Sequence, residues 1–415
     1  MTTVITPEHL VDGTGAPAET GMAVVVEDGR VTSVVPAEHA PSGPAVERID
    51  APGQTLLPGL IDLHFHQFLL LVERLGGPQE QTFRRDPLIA TTIFKAARAA
   101  KIWLQQGVTT IRDAGAPDNM AVAMREAIAD GFSMGPRVVA SGALIAQTGG
   151  MRAGNEDHAV EITGADEARR EARLQLKAGV DVLKLYGASS IGGGGGRLVG
   201  PPGWPQLSVE EMRAVCEEAH KADRLCSAHA VSTVSIRNAI EAGVDWVDHA
   251  DFLDDATIQM LLDTDTPICP TQAIAWSLEH FGEDMGFGPH IAKKAAEVSA
   301  VASEALAKAY RAGVRIAAGT DADNPRASLA QECRLLTEIG MSPLEAIRAA
   351  TLTNAEILRL DDRVGTVQAG KVADLILVAG DAATDIDALK RIQDVFQGGT
   401  RLTLPLVDLS AWGYA

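Results

Sequence analysis

Over the first 57 residues the apolar positions fall in short β-branched runs broken by turn residues. Val24-Val-Val-Glu-Asp-Gly-Arg-Val-Thr-Ser-Val-Val sets Asp28-Gly29 between two such runs, a pattern that predicts a hairpin. The tail has the same character: Ala373-Asp-Leu-Ile-Leu-Val and Ile392-Gln-Asp-Val-Phe, followed by Gly398-Gly399, read as strands joined by turns. Neither end has enough apolar surface to fold alone. The expectation is one small β-sandwich made from residues 1–57 and 363–415 together.

Between the ends, short apolar runs alternate with helical periodicity. Candidate strands lie at Leu60–Asp62, Val108–Arg112, Arg137–Ala140, Val182–Leu185, Leu225–Ala228, Trp246–Val247, Pro267–Cys269 and Val314–Ala318. A helix is predicted over Glu210–Ala222, opened by Ser208 with Glu211 at the capping-box position. Another opens at Ser342-Pro343-Leu344-Glu345, with a cap, a proline in the first turn and a glutamate to close the box. Eight strand–helix units in about 300 residues predict a parallel (β/α)8 TIM barrel over 58–362, an α/β fold whose chemistry gathers where the strands end. A doubly wound sheet is the alternative, but no Gly-x-Gly-x-x-Gly turn follows a strand.

At 415 residues and 46% hydrophobic, the chain can bury a large core. Its formal charge of −19 repels phosphate backbones and anionic lipid, which argues against nucleic acid or membrane as partner. Cys216, Cys226, Cys269 and Cys333 form no Cys-x-x-Cys pair, so reduced thiols are expected. The start of the chain lacks a basic stretch followed by an apolar run, and no segment approaches the roughly 18 apolar residues of a membrane span. A cytoplasmic enzyme is the expectation.

The strongest chemical signal is Pro58-Gly-Leu-Ile-Asp-Leu-His64-Phe-His66. Residues two apart on a strand share a face, so both imidazoles can converge on one ion. Lys184, His229, His249 and Asp321 each fall in or just after a predicted barrel strand, and strand ends point to one mouth. Singly, each has a plainer reading: a snorkelling lysine, two satisfied core histidines, an aspartate capping a helix. Six such coincidences at strand ends favour a metal site. Of the other histidines, His9, His39, His280 and His290 fall on predicted loops or surface segments and His220 on a helix.

These motifs, in this order, resemble the amidohydrolase superfamily, in the branch holding imidazolonepropionase-like hydrolases, prolidase-like dipeptidases, and carbamate and phenylurea hydrolases. The resemblance rests on Leu57-Pro-Gly-Leu-Ile-Asp-Leu-His-Phe-His, Gly107-Val-Thr-Thr-Ile-Arg-Asp-Ala-Gly, Lys184, Ala228-His-Ala, Asp248-His249 and Gly319-Thr-Asp-Ala. Ala350-Thr-Leu-Thr-Asn-Ala-Glu-Ile-Leu and Gly365-Thr-Val-Gln-Ala-Gly-Lys-Val-Ala-Asp-Leu complete it. It implies two divalent metals, zinc foremost with manganese or cobalt as alternatives. His64 and His66 would hold one, His229 and His249 the other, with Lys184 bridging as an N-carboxylated lysine formed with carbon dioxide. Asp321 would ligate the first metal and act as general base toward a metal-bridging hydroxide that attacks an amide-like C–N bond. Dipeptides, N-acyl amino acids, carbamates or ureas would be the small-molecule substrates, and a homo-oligomer the assembly. A cyclic-amide hydrolase or deaminase is the runner-up, and a non-catalytic scaffold the reading from another class.

The sequence departs from its relatives after strand three. Many carry Thr-Gly-Gly-His-Gly-Asp there, whereas this chain reads Gln147-Thr-Gly-Gly-Met151-Arg152, with methionine in place of the histidine. Arg152 or His158 are the candidates to contact substrate in its stead. Five glycines, Gly192–Gly196, suggest a lid over the mouth, with Trp204 available to cover an apolar ligand and Tyr186 sharing the Lys184 face.

Overall fold

The computed structural model describes residues 2–68, 89–150, 159–190, 203–284, 288–322 and 324–408. The expectations for Met151, Arg152, His158 and Gly192–Gly196 lie outside the described residues. In chain order the strands are β1 (Thr2–Leu10), β2 (Met22–Glu27), β3 (Arg30–Pro36), β4 (Val46–Pro58), β5 (Leu60–Phe65), β6 (Val108–Asp113), β7 (Arg137–Val139) and β8 (Leu144–Gln147). They continue as β9 (Ala159–Ile162), β10 (Val182–Tyr186), β11 (Leu225–Ala230), β12 (Trp246–His249), β13 (Ile268–Cys269), β14 (Leu375–Ala379), β15 (Ile392–Gln397) and β16 (Thr400–Arg401).

The predicted hairpin forms, with Glu27 opposite Arg30 and both turn residues left-handed, Asp28 at φ 48° and Gly29 at φ 78°. That is the backbone a two-residue turn needs to match strand twist. Both chain ends share one β unit, whose strands are hydrogen-bonded in the order β16-β15-β14-β4-β1-β2-β3. Strand β4 joins the contributions of the two chain ends: Val46 to Leu56 pair parallel with β1, and Gln54 to Pro58 pair antiparallel with β14. One face of this sheet buries Ile5, Leu56, Leu375 and Phe396 together.

The central region holds two parallel sheets, β5-β6-β7 and β13-β12-β11-β10-β8-β9. Parallel bridges Ser141–Val182, Ile268–Ile316 and Phe65–Ala322 connect their edges. Strands β8 and β9 were not expected from the sequence. The predicted strand at Val314–Ala318 is reduced to a bridge at Ile316. The segment still bonds to both neighbours through its backbone, with Ile268 N donating to Arg315 O, Ala317 N to Ile268 O and Leu63 N to Ala318 O. Asn354 adds to this: its Nδ2 donates to the carbonyls of Ile61 (2.6 Å) and Ala318 (2.7 Å), and its Oδ1 accepts from Ala318 N at 3.3 Å. This buried amide reinforces the backbone link between β5 and Ala318. Both predicted capping boxes are present, Ser208 with Glu211 and Ser342 with Glu345.

The four cysteines are buried and free, with the sulfurs of Cys216 and Cys226 3.3 Å apart. Among the described residues no helix is long and apolar enough to cross a membrane.

Candidate metal centre

Strand β5 is buried along its whole length, so His64 within it, and His66 just past its end, lie inside the protein rather than at its surface. His64 Nε2 and His66 Nε2 stand 3.4 Å apart, and Asp321 Oδ1 lies 3.3 Å from the first and 3.2 Å from the second. Asp321 reaches them because its own backbone is left-handed, at φ 49°, and its N–H donates to the His64 carbonyl at 2.6 Å. Non-glycine residues seldom adopt that conformation outside constrained sites. Gly319 is required two residues earlier, since a Cβ there would lie 2.8 Å from His64 N and 2.5 Å from Cys269 Sγ.

The other histidines join this group edge to edge. Ring centroids are 5.0 Å apart for His64 and His249 and 4.4 Å for His249 and His229. His249 ends β12 at φ 78°, with Ala250 also left-handed, and its Nδ1 contacts Thr271 Oγ1 at 2.8 Å. Tyr186 lies opposite His229 in the parallel pairing and stacks on its ring at 4.3 Å and 8°. It is 3% exposed and packs with Leu144 and Ala159. Trp204 is 56% exposed, anchored through its backbone to Ser189.

Lys184 is buried and paired with Asp248, a residue the sequence reading used only as a neighbour of His249. Asp248 is the hub beneath the histidines. Its Oδ1 stands 3.0 Å from His64 Nδ1 and accepts from Trp246 Nε1 at 2.9 Å. Its Oδ2 contacts Lys184, accepts from Ser227 Oγ at 3.3 Å and lies 3.7 Å from Arg112 Nη1. A carboxylate at Nδ1 fixes the imidazole so that Nε2 faces Asp321. Asp62, also passed over in the sequence, ties β5 to Thr320 by accepting from Thr320 N, Thr320 Oγ1 and Trp103 Nε1. Aspartates within apolar strands were the available signal, since burial of a carboxylate requires partners.

Charge in this cluster is uneven. Burial opposes ionisation of Asp321, but His64 and His66 outweigh it and hold the carboxyl well below the usual range. Asp248 is likewise held low against its burial by Lys184 and His64. Burial takes His66 down to about 4 and His249 to about 3, so both imidazoles are neutral at pH 7. His64 is raised, because Asp248 overcomes its burial. Burial pulls Lys184 below its ordinary value, partly offset by Asp248.

The donor geometry fits a transition ion. Ligand atoms about 2.0–2.1 Å from a tetrahedral centre stand roughly 3.3–3.4 Å from one another. His64, His66 and Asp321 match that spacing, and among the described residues they are the group of three whose ligand atoms converge. Imidazole nitrogens with one carboxylate suit zinc, manganese or cobalt.

Thr271, which positions His249, is itself left-handed at φ 52°, and the helix it begins is held by Glu332, whose Oε2 accepts from Ala273 N at 2.7 Å. Burial pushes Glu332 up to about 8 from an ordinary 4.5. The folded protein therefore retains a proton that the unfolded chain releases between those values, and stability falls as pH rises through that window. Glu332→Gln keeps an acceptor oxygen and removes this contribution, which is at most about 1.4 kcal/mol per pH unit. Urea unfolding at pH 5 and pH 8 checks it; equal pH slopes in both proteins would exclude a neutral buried Glu332.

A family model described as amidohydrolase family matches residues 55–402. Ochratoxinase of Aspergillus niger is 28% identical over 99% of this chain and 88% of its own length. Among solved structures, a Xaa-Pro dipeptidase with bound methionine in the active site superposes with TM-score 0.86 at 28% identity, covering 97% of this chain and all of that one. A putative prolidase from Bifidobacterium longum superposes with TM-score 0.82 at 29% identity, covering 97% and 94% of the two chains. A converging His-His-Asp group on parallel strands, a match along most of the sequence and two superposable relatives agree: the chain belongs to the amidohydrolase family and is a hydrolase.

Proposed function

We propose that the chain cleaves an amide-like C–N bond in a dipeptide, N-acyl amino acid, carbamate or urea, using two divalent cations, zinc foremost. The observation that carries this reading is the triangle of His64, His66 and Asp321 donors, whose 3.2–3.4 Å edges suit a bound ion. His229 and His249, with Lys184 as its carbamate, are the ligands proposed for a second ion. The two parallel sheets and their bridges are taken as one closed eight-stranded barrel over 58–362, with 1–57 and 363–415 as its appended unit.

Such ions, when bound, polarise a carbonyl and lower the pKa of water to about 7. The chain supplies the rest. Asp321, ionised at neutral pH, accepts a proton from the attacking water at a carboxylate oxygen and delivers it to the leaving nitrogen. Lys184 is the group able to take up carbon dioxide, because burial favours its neutral amine, the form with a lone pair to add. Asp248 holds the His64 ring in place. The relatives named as a dipeptidase and a prolidase support the dipeptide and N-acyl amino acid end of the range.

The test is a panel of dipeptides, N-acyl amino acids, carbamates, phenylureas and lactams run on metal-loaded enzyme, before and after chelation. Turnover of at least one C–N substrate, abolished by chelator and restored by zinc, manganese or cobalt, is expected. Lys184→Ala should lose bound metal together with activity. Full turnover in chelated, metal-free protein would overturn the proposal, and full metal occupancy in Lys184→Ala would remove the bridging lysine from it. Preferential cleavage of lactams would shift the reading to a cyclic-amide hydrolase.

A further inference from the structure

The histidines sit at the C-terminal ends of the parallel strands, and a cavity of about 650 Å³ opens at the other end. Its wall includes Arg137 at the start of β7, Asp181 just before β10 and Leu225 at the start of β11. His229 lies four positions along β11 from Leu225, about 13 Å along the strand, so the cavity is distinct from the metal centre.

Five arginines line it, Arg125, Arg137, Arg224, Arg359 and Arg363, against two aspartates, Asp181 and Asp223. A chain of net charge −19 thus places five of its 36 basic residues around one opening. Three of them are paired: Arg125 with Asp181 at 2.6 Å, Arg359 with Asp223 at 2.8 Å, and Arg137 with Asp374 at 2.9 Å. Arg224 and Arg363 have no carboxylate partner among the described residues; Arg224 donates only to the Asp223 carbonyl, at 3.1 Å. Even Arg137 leaves its Nε buried without an acceptor. Arg359 occupies a left-handed position, φ 56°, just past a helix end, where glycine or asparagine is usual. Its guanidinium is therefore kept at the rim against the backbone preference of the site. The floor is apolar: Val139, Leu225 and Leu358 line the cavity and belong to a buried core cluster.

Unneutralised guanidinium groups over an aliphatic floor complement a ligand with one charged oxygen-rich end and one apolar end, because the planar fork of arginine pairs with carboxylate or phosphate oxygens. We propose that this cavity is a second binding site, for a small amphipathic anion whose carboxylate or phosphate head meets Arg224 and Arg363 and whose apolar body covers Val139, Leu225 and Leu358.

Titration calorimetry of the full chain with octanoate, phenylacetate and inorganic phosphate tests this. Octanoate and phenylacetate should bind, and the double variant Arg224→Gln with Arg363→Gln should weaken them at least about tenfold, as loss of charge-assisted hydrogen bonds requires. Arg224→Lys with Arg363→Lys should retain part of the affinity, and Asp321→Asn all of it, since the metal centre is elsewhere. An unchanged melting temperature in the glutamine variant would show that the fold is intact. The proposal is overturned if neither carboxylate binds below about 10 mM, if the glutamine variant binds as well as wild type, or if Asp321→Asn abolishes binding. Phosphate binding more tightly than both carboxylates would refute the apolar half of the site. An oligomer that dissociates in the glutamine variant, without probe binding to wild type, would assign the arginines to a contact between copies of this chain and overturn it equally.

Discussion

Replacing Asp321 by asparagine lowers kcat on the order of 10²–10⁴-fold, the range expected when a positioned general base is lost. The amide keeps a neutral oxygen where Asp321 Oδ1 now lies 3.2–3.3 Å from the two histidine nitrogens, so most bound metal should remain. The left-handed turn that presents the side chain is equally open to asparagine, so the variant should fold as wild type does. Steady-state kinetics with metal analysis of the same samples gives the answer: kcat collapses while metal content holds. A kcat within tenfold of wild type at full occupancy would mean that another group moves the proton.

Asp248→Ala should be the most destabilising single change at this site. In the metal-free protein with unmodified Lys184, it leaves Lys184, Arg112 and His64 buried around a missing counter-charge, a situation that costs about 3–5 kcal/mol. Asp248→Asn keeps the shape and one acceptor for Trp246, so it should unfold closer to wild type while binding metal about 10–100-fold more weakly, as loss of a carboxylate behind a ligating histidine does. Urea unfolding and metal titration of both variants separate the two effects. If Asp248→Ala unfolded at the wild-type midpoint, the hub would carry no energy.

The elements that the sequence made legible are those whose signal is local. The Asp28-Gly29 turn and the two serine-glutamate capping boxes depend on residues within four positions of each other, and all three form as expected. His64 and His66 were readable because strand periodicity puts both on one face. What the sequence hid is set by distant partners. Asp248 looked like a neighbour of a histidine until Lys184, 64 residues away, was brought against it. Asn354 reaches across 293 residues to Ile61, and by doing so braces the end of the run Val314–Ala318 against β5. The pairing of β4 was hidden for a similar reason, since nothing local says that it will take both β1 and β14 as neighbours.

Strand β4 has consequences for biosynthesis. It leads directly into β5, and its partner β14 is encoded more than 300 positions later, with Leu56 opposite Leu377. A nascent chain can therefore assemble the β1–β3 side early but must wait for Leu377 before the other edge is satisfied, and contacts of such long reach fold slowly. Until then Leu56 and Leu57 stay uncovered on an open strand edge, the kind of surface that chaperones shield and that aggregates.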